Sequence, residues 1–342
     1  MHYRYKLNFP YGVHFGADKT GIGLEKISIA CHCDTFYSAV CQEILKLYGE
    51  VELENFVKDT KSGNFKISDL LPYDNNTLYL PKPILYVGKK ENDTEKQEKN
   101  SVLKKKMKKL HYIPIDKFEI DKFDEYLSSL KKGKIFSLEP TNISESVMYE
   151  KNAIARSGNP DDNGLYSVSI TKFEKGCGLY FIAEFSEDKK EWFDNLLKSL
   201  GLSGIGGKRT SGYGQFEVID DTKLDKSSDT LDDKTLAQLL ENNAESKYYL
   251  TLSAMYPKKD EVPKLTDDGY YTLIQRQGFV ASRTYSKQFL KRIPSVMINA
   301  GSCFKEKLEG EVVDLSHNGK HPVYRYGKPI MIGIKLCKNL DI

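Results

Sequence analysis

The chain has 342 residues, of which 39% are hydrophobic and 29% are charged, enough for two globular domains with modest cores. Its 51 basic residues nearly balance its 48 acidic ones, so the net charge of +3 does not by itself indicate a nucleic-acid-binding protein. No apolar run reaches the length of a membrane span and the first residues lack a signal-peptide pattern, so we expect no membrane partner.

Strand and helix patterns alternate at the start of the chain. Residues 2–9 alternate apolar and polar side chains, which predicts a half-buried strand. Asp34 is predicted to be the N-cap of a helix that ends at Gly49, and a second short helix is predicted over residues 53–58. An irregular strand follows at 78–86. The Lys-rich segment 88–111 is predicted to be an exposed insertion, either a solvated face or a nucleic-acid contact.

Strand patterns dominate from residue 147. Segments 147–158 and 165–173 flank the turn-rich residues 159–164, which predicts a long hairpin. This hairpin is either an ordinary exposed hairpin or a finger that clamps a nucleic acid. A buried strand at 178–185, a helix at 191–201 and a strand at 215–219 follow. The order fits a β-α-β-β-α-β ferredoxin-like unit with an insertion.

The remaining chain divides by composition. Residues 220–246 are acidic and predict a linker with a short helix at 235–242, whereas residues 247–342 are rich in strand patterns. We therefore predict an α+β fold with a first domain over 1–219 and a reduced, strand-rich second domain over 247–342.

The segment 203–216, SGIGGKRTSGYGQF, places five glycines around Lys208 and Arg209. Glycine lets backbone N–H groups approach an anion, and the two cations add charge. A Walker loop is excluded because Leu202 stands at its first glycine and Arg209 at its last position. The dinucleotide pattern fails because Arg209 replaces the third glycine. The loop therefore predicts contact with a polyanion such as an RNA backbone, with a plain helix-to-strand connection as the alternative.

Other candidate chemistry is sparse. The six cysteines are scattered, which predicts reduced thiols in a cytoplasmic protein. The triplet at 31–33, Cys-His-Cys, has no second ligand pair at zinc spacing, so we predict no metal and no cofactor. His32 with Asp34 could form an acid–base pair for RNA cleavage, although a plain helix cap is favoured. Residues 282–292 mix cations with aromatic rings, which suits either RNA or an amphipathic surface segment.

Four motifs point to one family. In chain order they are YRYKLNF with VHFG, CHCDTFYSAVCQEI, NAIARSGNPDDNGLYSV and GIGGKRTSGYGQFEV. Together they resemble the RAMP superfamily of CRISPR proteins, and within it the Cas-five-like subunits that cap the crRNA 5′ end in type III-A Csm effector complexes. The motifs cover residues 1–219, and residues 247–342 resemble the family more loosely. The chain departs from the family pattern at Ala155, where many relatives have an acidic residue.

The resemblance implies two ferredoxin-like (RRM-like) RAMP domains, the first with a β-hairpin thumb, and no catalysis. It implies binding of the repeat-derived 5′ tag of crRNA, docking onto a Cas10-family large subunit and a backbone RAMP subunit, and target RNA near the thumb. The expected RNA-binding residues lie in the glycine-rich loop, at the start of the first helix, in the hairpin and in the basic C-terminal segment: Gly204, Gly206, Gly207, Lys208, Arg209, Thr210, Ser211, His32, Thr35, Ser38, Arg156, Arg283, Tyr285, Lys291 and Arg292.

The leading hypothesis is a non-enzymatic RNA-binding and scaffolding subunit. A Cas-six-like, metal-independent endoribonuclease that processes pre-crRNA is the alternative, with His32 or a Lys or Tyr near the glycine-rich loop as the catalytic group. A purely protein-binding module is a third interpretation.

Overall fold

The computed structural model describes residues 1–17, 23–75, 77–84, 110–118, 143–153, 164–241, 246, 248–280, 282, 284–286 and 290–334. Most of the Lys-rich segment, the hairpin tip with Arg156, and Arg283 lie outside the described residues.

Helices and strands alternate through the first part of the chain, and short strands dominate the second. The helices of the described part are α1 (Cys33–Ser62), α2 (Lys190–Ser203), α3 (Leu231–Leu240) and α4 (Val262–Asp268). Its strands are β1 (His2–Asn8), β2 (Lys66–Ile67), β3 (Leu71–Asp74), β4 (Thr77–Pro81), β5 (Tyr112–Pro114), β6 (Ser144–Ala153), β7 (Gly164–Phe173), β8 (Cys177–Glu184), β9 (Glu217–Lys223), β10 (Tyr248–Thr251), β11 (Leu273–Arg276), β12 (Ser295–Ile298), β13 (Cys303–Phe304), β14 (Val313–Asp314), β15 (Tyr324–Arg325) and β16 (Met331–Ile334).

The largest sheet has 7 strands in the order β5-β4-β3-β8-β1-β9, with β2 also paired to β8. Strand β1 lies antiparallel between β8 and β9. The half-buried pattern predicted for β1 is wrong, because Arg4 on the face expected to meet solvent is only 1% exposed. Its guanidinium pairs with Asp233 of α3 and with Asp220 of β9, each at an N–O distance of 2.8 Å. The pair with Asp233 holds α3, in the acidic segment, against the sheet.

Helix α1 contains the two helices that the sequence predicted. It is interrupted at Gly49, where φ is 84°, and then continues to Ser62, beyond the predicted end of the second helix. Gly63 follows with φ of 87° and its N–H donates to carbonyls of the last turn. Glycine adopts this left-handed conformation without the clash of a Cβ, which explains both positions.

The two faces of the large sheet are both buried. On one face, rings from β1, β8, α1 and α2 pack together: Phe36 and Phe181 have centroids 4.8 Å apart, and Tyr5 and Phe193 5.6 Å. On the other face, Tyr180 and Ile182 pack with apolar side chains of α3, β10 and β16. Side chains of β8 therefore alternate between two cores, as a strand covered on both faces requires.

The C-terminal part packs closely on the first part. It contains a 3-stranded sheet, β13-β10-β16, and the pairs β11–β12 and β14–β15. Tyr326 stacks on Tyr37 of α1 with centroids 4.9 Å apart, and its hydroxyl accepts a hydrogen bond from the N–H of Ile67 at 2.8 Å. Ala254 and Met297 join the same core as Phe36.

Strands β6 and β7 form a separate antiparallel pair. Their register runs from Ser144 opposite Phe173 to Ala153 opposite Gly164. Among the helices of the described part, none combines the length and the apolar character needed to cross a membrane.

Candidate nucleic-acid interface

An open groove of about 610 Å³ lies where the two parts of the chain meet. Its walls are the segment around His14, the start of α1, the glycine-rich loop, and the end of β11 with the residues after it. The predicted site residues that line it are His32, Thr35, Ser38, Gly206, Gly207, Arg209 and Arg292. Residues from three separate stretches of sequence therefore face one groove.

The glycines of the loop permit close backbone contact, and three of their amides are paired within the protein. The N–H groups of Gly204, Gly207 and Gly214 donate to the carbonyls of Leu200, His14 and Gly12 at 2.7–2.9 Å. These three amides are therefore unavailable to a phosphate, contrary to the sequence-based interpretation. At Gly206, with φ of 84°, a Cβ would lie 2.6 Å from the carbonyl oxygen of His14. The loop lies flat on the segment around His14 because glycine has no side chain.

The two cations of the loop point to different places. Arg209 is exposed and lines the groove, and Thr210 and Ser211 follow it in an exposed 3₁₀ turn. Lys208 has a left-handed φ of 59°, and its Nζ lies 4.6 Å from the ring centroid of Tyr166 in β7. Lys208 therefore contacts the β6–β7 pair, and Arg209 is the loop cation that faces the groove.

The same loop contacts the β6–β7 pair through aromatic rings. Tyr213 lies 6.4 Å from Tyr149 between centroids, and Lys151 Nζ lies 4.9 Å from the Tyr213 centroid. Together with the contact of Lys208 with Tyr166, these packings hold the middle and the tip-proximal part of the described β6–β7 pair against the glycine-rich loop.

An arginine cluster lies at the start of α1. Arg276 Nη2 donates to Asp34 Oδ1 and to Thr35 Oγ1, each at 2.9 Å. Arg325 Nη1 donates to Asp34 Oδ2, and Arg292 Nη2 donates to Ser38 Oγ at 2.7 Å. One carboxylate thus faces three guanidinium groups, and the excess charge is positive. Burial would raise the pKa of Asp34, but the charges of Arg276 and Arg325 outweigh it and hold that pKa well below its usual value.

The predicted N-cap role of Asp34 is wrong. His32 is the N-cap residue, and Asp34 lies in the first turn, 1% exposed. The acceptor at this helix end is Asp69, whose Oδ1 accepts from the N–H groups of Cys33 at 2.8 Å and Ala254 at 2.9 Å. The other oxygen, Oδ2, lies 2.7 Å from His32 Nδ1. The carboxylate partner of His32 is therefore Asp69.

The basic C-terminal segment is only partly at the groove. Tyr285 is 2% exposed and its hydroxyl donates to the carbonyl of His317 at 2.8 Å, so its ring is not available to stack on a base. Lys291 is exposed, with Nζ 6.0 Å from the Phe279 ring centroid. Phe279 is 58% exposed and lines the groove, which makes it the better candidate for base stacking.

Sequence reasoning missed Arg276, Arg325 and Phe279. The available signal was a cation within a strand pattern, as at Arg276. A cation that becomes buried needs an acidic or hydrogen-bonding partner, so this pattern indicates a polar contact with another part of the chain. Around these residues and throughout the described part, no group of three or more His, Cys, Asp or Glu side chains is placed to hold a metal ion.

Comparisons with known proteins match both parts of the chain to CRISPR protein families. Residues 31–217 match the RAMP superfamily, and residues 244–334 match the CRISPR Csm4 C-terminal domain. The chain is 31% identical over 321 residues to the CRISPR system Cms protein Csm4 of Mycobacterium tuberculosis, covering 94% of each protein. It is 28% identical over 330 residues to the protein of that name from Streptococcus thermophilus, covering 94% of this chain and 96% of the relative.

Solved structures show the same fold. The Csm3-Csm4 subcomplex of the type III-A CRISPR-Cas interference complex contains a chain that matches with a TM-score of 0.60 at 20% identity, covering 98% of this chain and 100% of that one. A chain of the Csm1-Csm4 cassette in complex with AMPPNP matches with a TM-score of 0.55 at 18% identity, covering 98% and 99%.

Proposed function

We propose, since the chain belongs to the Csm4 family of the RAMP superfamily, that it is a non-catalytic crRNA-binding subunit of a type III-A CRISPR effector complex. In this role the groove holds the repeat-derived 5′ tag of crRNA. The observation that carries the proposal is the convergence of Arg209, Arg276 and Arg292 on one open groove. Positive groups along a groove suit a single-stranded phosphate backbone.

The proposal extends to partners. The matched structures are a Csm3-Csm4 subcomplex and a Csm1-Csm4 cassette. By analogy, this chain would bridge a Cas10-family large subunit to the RAMP backbone in antiviral defence, with target RNA near the hairpin formed by β6 and β7 as its thumb. We place this assembly in the cytoplasm, in keeping with the absence of a disulfide bond among the described cysteines, Cys31, Cys33, Cys41, Cys177 and Cys303.

The proposal also includes two ferredoxin-like domains. In the first, the chain order β1, α1, β3, β8, α2, β9 corresponds to β-α-β-β-α-β. The strand order β3-β8-β1-β9 within the large sheet supports this assignment. The 3-stranded sheet β13-β10-β16 would be the reduced second unit.

Replacing Arg209 tests the RNA-binding role. The full-length Arg209→Gln variant should bind an RNA of tag plus guide about tenfold more weakly, because one charge-assisted contact is lost. The slope of log K against log salt concentration should fall by about 0.7, the value for one phosphate contact on a single strand. Filter binding over a salt series measures both quantities.

Lys226→Gln is the matched control, because Lys226 is 78% exposed and pairs with Glu241, outside the groove. It should bind like the unmodified protein. Unchanged affinity and salt slope in Arg209→Gln would contradict the proposal.

An endoribonuclease is the second candidate function, because His32 lines the groove and has a carboxylate partner in Asp69. Such a pair can orient an imidazole as a general base. The hydrogen bonds from Cys33 and Ala254 give Asp69 a structural role that explains the pair without catalysis.

Incubation of the purified protein with repeat RNA, followed by gel analysis of the products, separates the two functions. We expect the RNA to stay intact with both the unmodified protein and His32→Ala. Cleavage that disappears in His32→Ala would establish the endoribonuclease instead.

A further inference from the structure

A second cavity, of about 350 Å³, opens beside the groove. It lies between the outer side of α1, the residues Val280, Ser282 and Thr284, and the C-terminal segment 320–324. Ser38, Gln42 and Arg292 line both cavities. A strand in the groove therefore passes the mouth of the second cavity. Its volume falls in the range of about 300–1,000 Å³ that is usual for small-ligand sites.

The walls of this cavity combine an apolar side with a polar edge, and three charged residues, Glu50, Glu54 and Lys320, also line it. Leu45, Val280 and the ring of Tyr324 supply apolar and aromatic surface. At the polar edge, Ser282 Oγ lies 2.7 Å from His321 Nε2 and 2.9 Å from Thr284 Oγ1. Hydroxyl groups in such a chain keep further donor and acceptor capacity. A flat ring with a hydrogen-bonding rim, which is the shape of a nucleobase, suits this combination.

The junction of the two cavities is positively charged. Arg292 Nη2 donates to Ser38, whereas its Nε is buried and has no hydrogen-bond partner among the described residues. The neighbouring Arg276 and Arg325 share the single carboxylate of Asp34. An anionic group at this junction would balance the excess charge, and a phosphate of the strand in the groove supplies one.

We propose that this second cavity is a nucleobase pocket, which takes one unpaired base of the RNA strand whose phosphate contacts Arg292. The inference rests on the proposed function and deepens it, since it says where a single base leaves the groove. The apolar side of a partner protein is the competing occupant, but it would leave the polar edge and the charge at the junction without a counterpart.

Filling the pocket and removing the base tests the proposal as a double-mutant cycle. Thr284 is exposed and lines the cavity, so Thr284→Trp should fill the pocket without disturbing the core. The RNA probes are the tag-plus-guide RNA and a series in which each tag nucleotide in turn is abasic. Filter binding with the full-length chain gives a dissociation constant for each pair of protein and RNA.

At one position, the abasic RNA should bind the unmodified protein about tenfold more weakly, the factor that 1.4 kcal/mol of lost stacking produces. Thr284→Trp should bind the intact RNA about tenfold more weakly than the unmodified protein does. This variant should bind the RNA that is abasic at that same position no more weakly than it binds the intact RNA. Thr266→Trp, an exposed threonine of α4 outside both cavities, is the matched control.

Two results would contradict the assignment of the nucleobase pocket without contradicting the RNA-binding role of the groove. One is that Thr284→Trp binds all RNAs as the unmodified protein does. The other is that its loss is the same for every abasic RNA, or appears only in assembly with partner subunits. If the unmodified protein binds none of the RNAs, the proposed function fails, and the pocket assignment fails with it.

Discussion

At the scale of single residues, the glycine-rich loop shows two different reasons for a glycine. Gly212 has φ of 86° and open space where a Cβ would lie, so only its backbone conformation favours glycine. Gly214 has φ of 83°, and a Cβ there would lie 2.0 Å from the carbonyl oxygen of Ile205. Gly214 is therefore required for both conformation and space.

We expect replacement of Gly212 and of Gly214 to have unequal effects on stability. Gly212→Ala should lower the free energy of unfolding by about 1–2 kcal/mol, the cost of a left-handed alanine. Gly214→Ala should lower it by at least about 3 kcal/mol, because the backbone at Ile205 must also move. Urea denaturation of both variants measures the difference. Equal losses would show that the loop shifts freely and that the close packing does not constrain it.

At the scale of elements, α1 is joined to the C-terminal part by its first turn. Asp34 is buried and pairs with Arg276 at the end of β11 and with Arg325 of β15. Three arginines gather around the start of one helix because these strands pack there, and Asp34 balances part of their charge. The same contacts position Thr35 and Ser38, which accept hydrogen bonds from Arg276 and Arg292.

Removing this carboxylate should be costly. Asp34→Asn should lower the free energy of unfolding by about 3–5 kcal/mol, because it leaves buried guanidinium groups unbalanced. Asp260→Asn, at an exposed position, is the control and should have little effect. A loss below about 1 kcal/mol in Asp34→Asn would mean that solvent screens the cluster.

The pH dependence gives an independent measurement. Because the pKa of folded Asp34 lies below its ordinary value of 3.8, the stability it contributes is full above that value and is lost as pH falls further. Glu184 behaves in the same way. Burial would raise its pKa, but the hydrogen bonds and charges of His2 and Lys66 lower that pKa to about 2. The stability that Glu184 contributes is therefore lost as pH falls from 4.5 towards 2. Stability curves between pH 6 and about 2 should therefore be shallower for Asp34→Asn than for the unmodified chain, while keeping the part that Glu184 contributes.

At the scale of the whole molecule, the two parts of the chain share their cores. Met297 and Tyr326 pack in the core with Phe36, and Leu250 and Ile332 pack with Tyr180 of β8. The ion pair between Arg4 and Asp233 is a further link, which joins the first part to the predicted linker. The sequence-based boundaries at 219 and 247 stay a prediction, but the two sides are closely packed in the folded chain.

A truncated chain should therefore fail to fold. Residues 1–223 alone would expose the face of β8 that Leu250 and Ile332 cover, and would leave Arg4 without Asp233. We expect this fragment to aggregate or to lose its near-ultraviolet circular dichroism, and coexpression with residues 224–342 to restore both solubility and signal. A monomeric fragment with a cooperative thermal transition would show that the first part folds independently.

Much of the candidate site was visible in the sequence, because glycine content, paired cations and helix starts are local properties of a chain. The motifs at 31–44 and 203–216 indicated the RAMP superfamily, and the match over residues 31–217 confirms it. Only the tertiary structure showed that these stretches share a groove with Arg276 and Phe279. It also showed that Asp34 balances the charge of arginines far along the chain, since Arg325 is 291 positions away. Which carboxylate meets which guanidinium, and which ring stays exposed, depends on packing between distant segments, and that packing has no local signature.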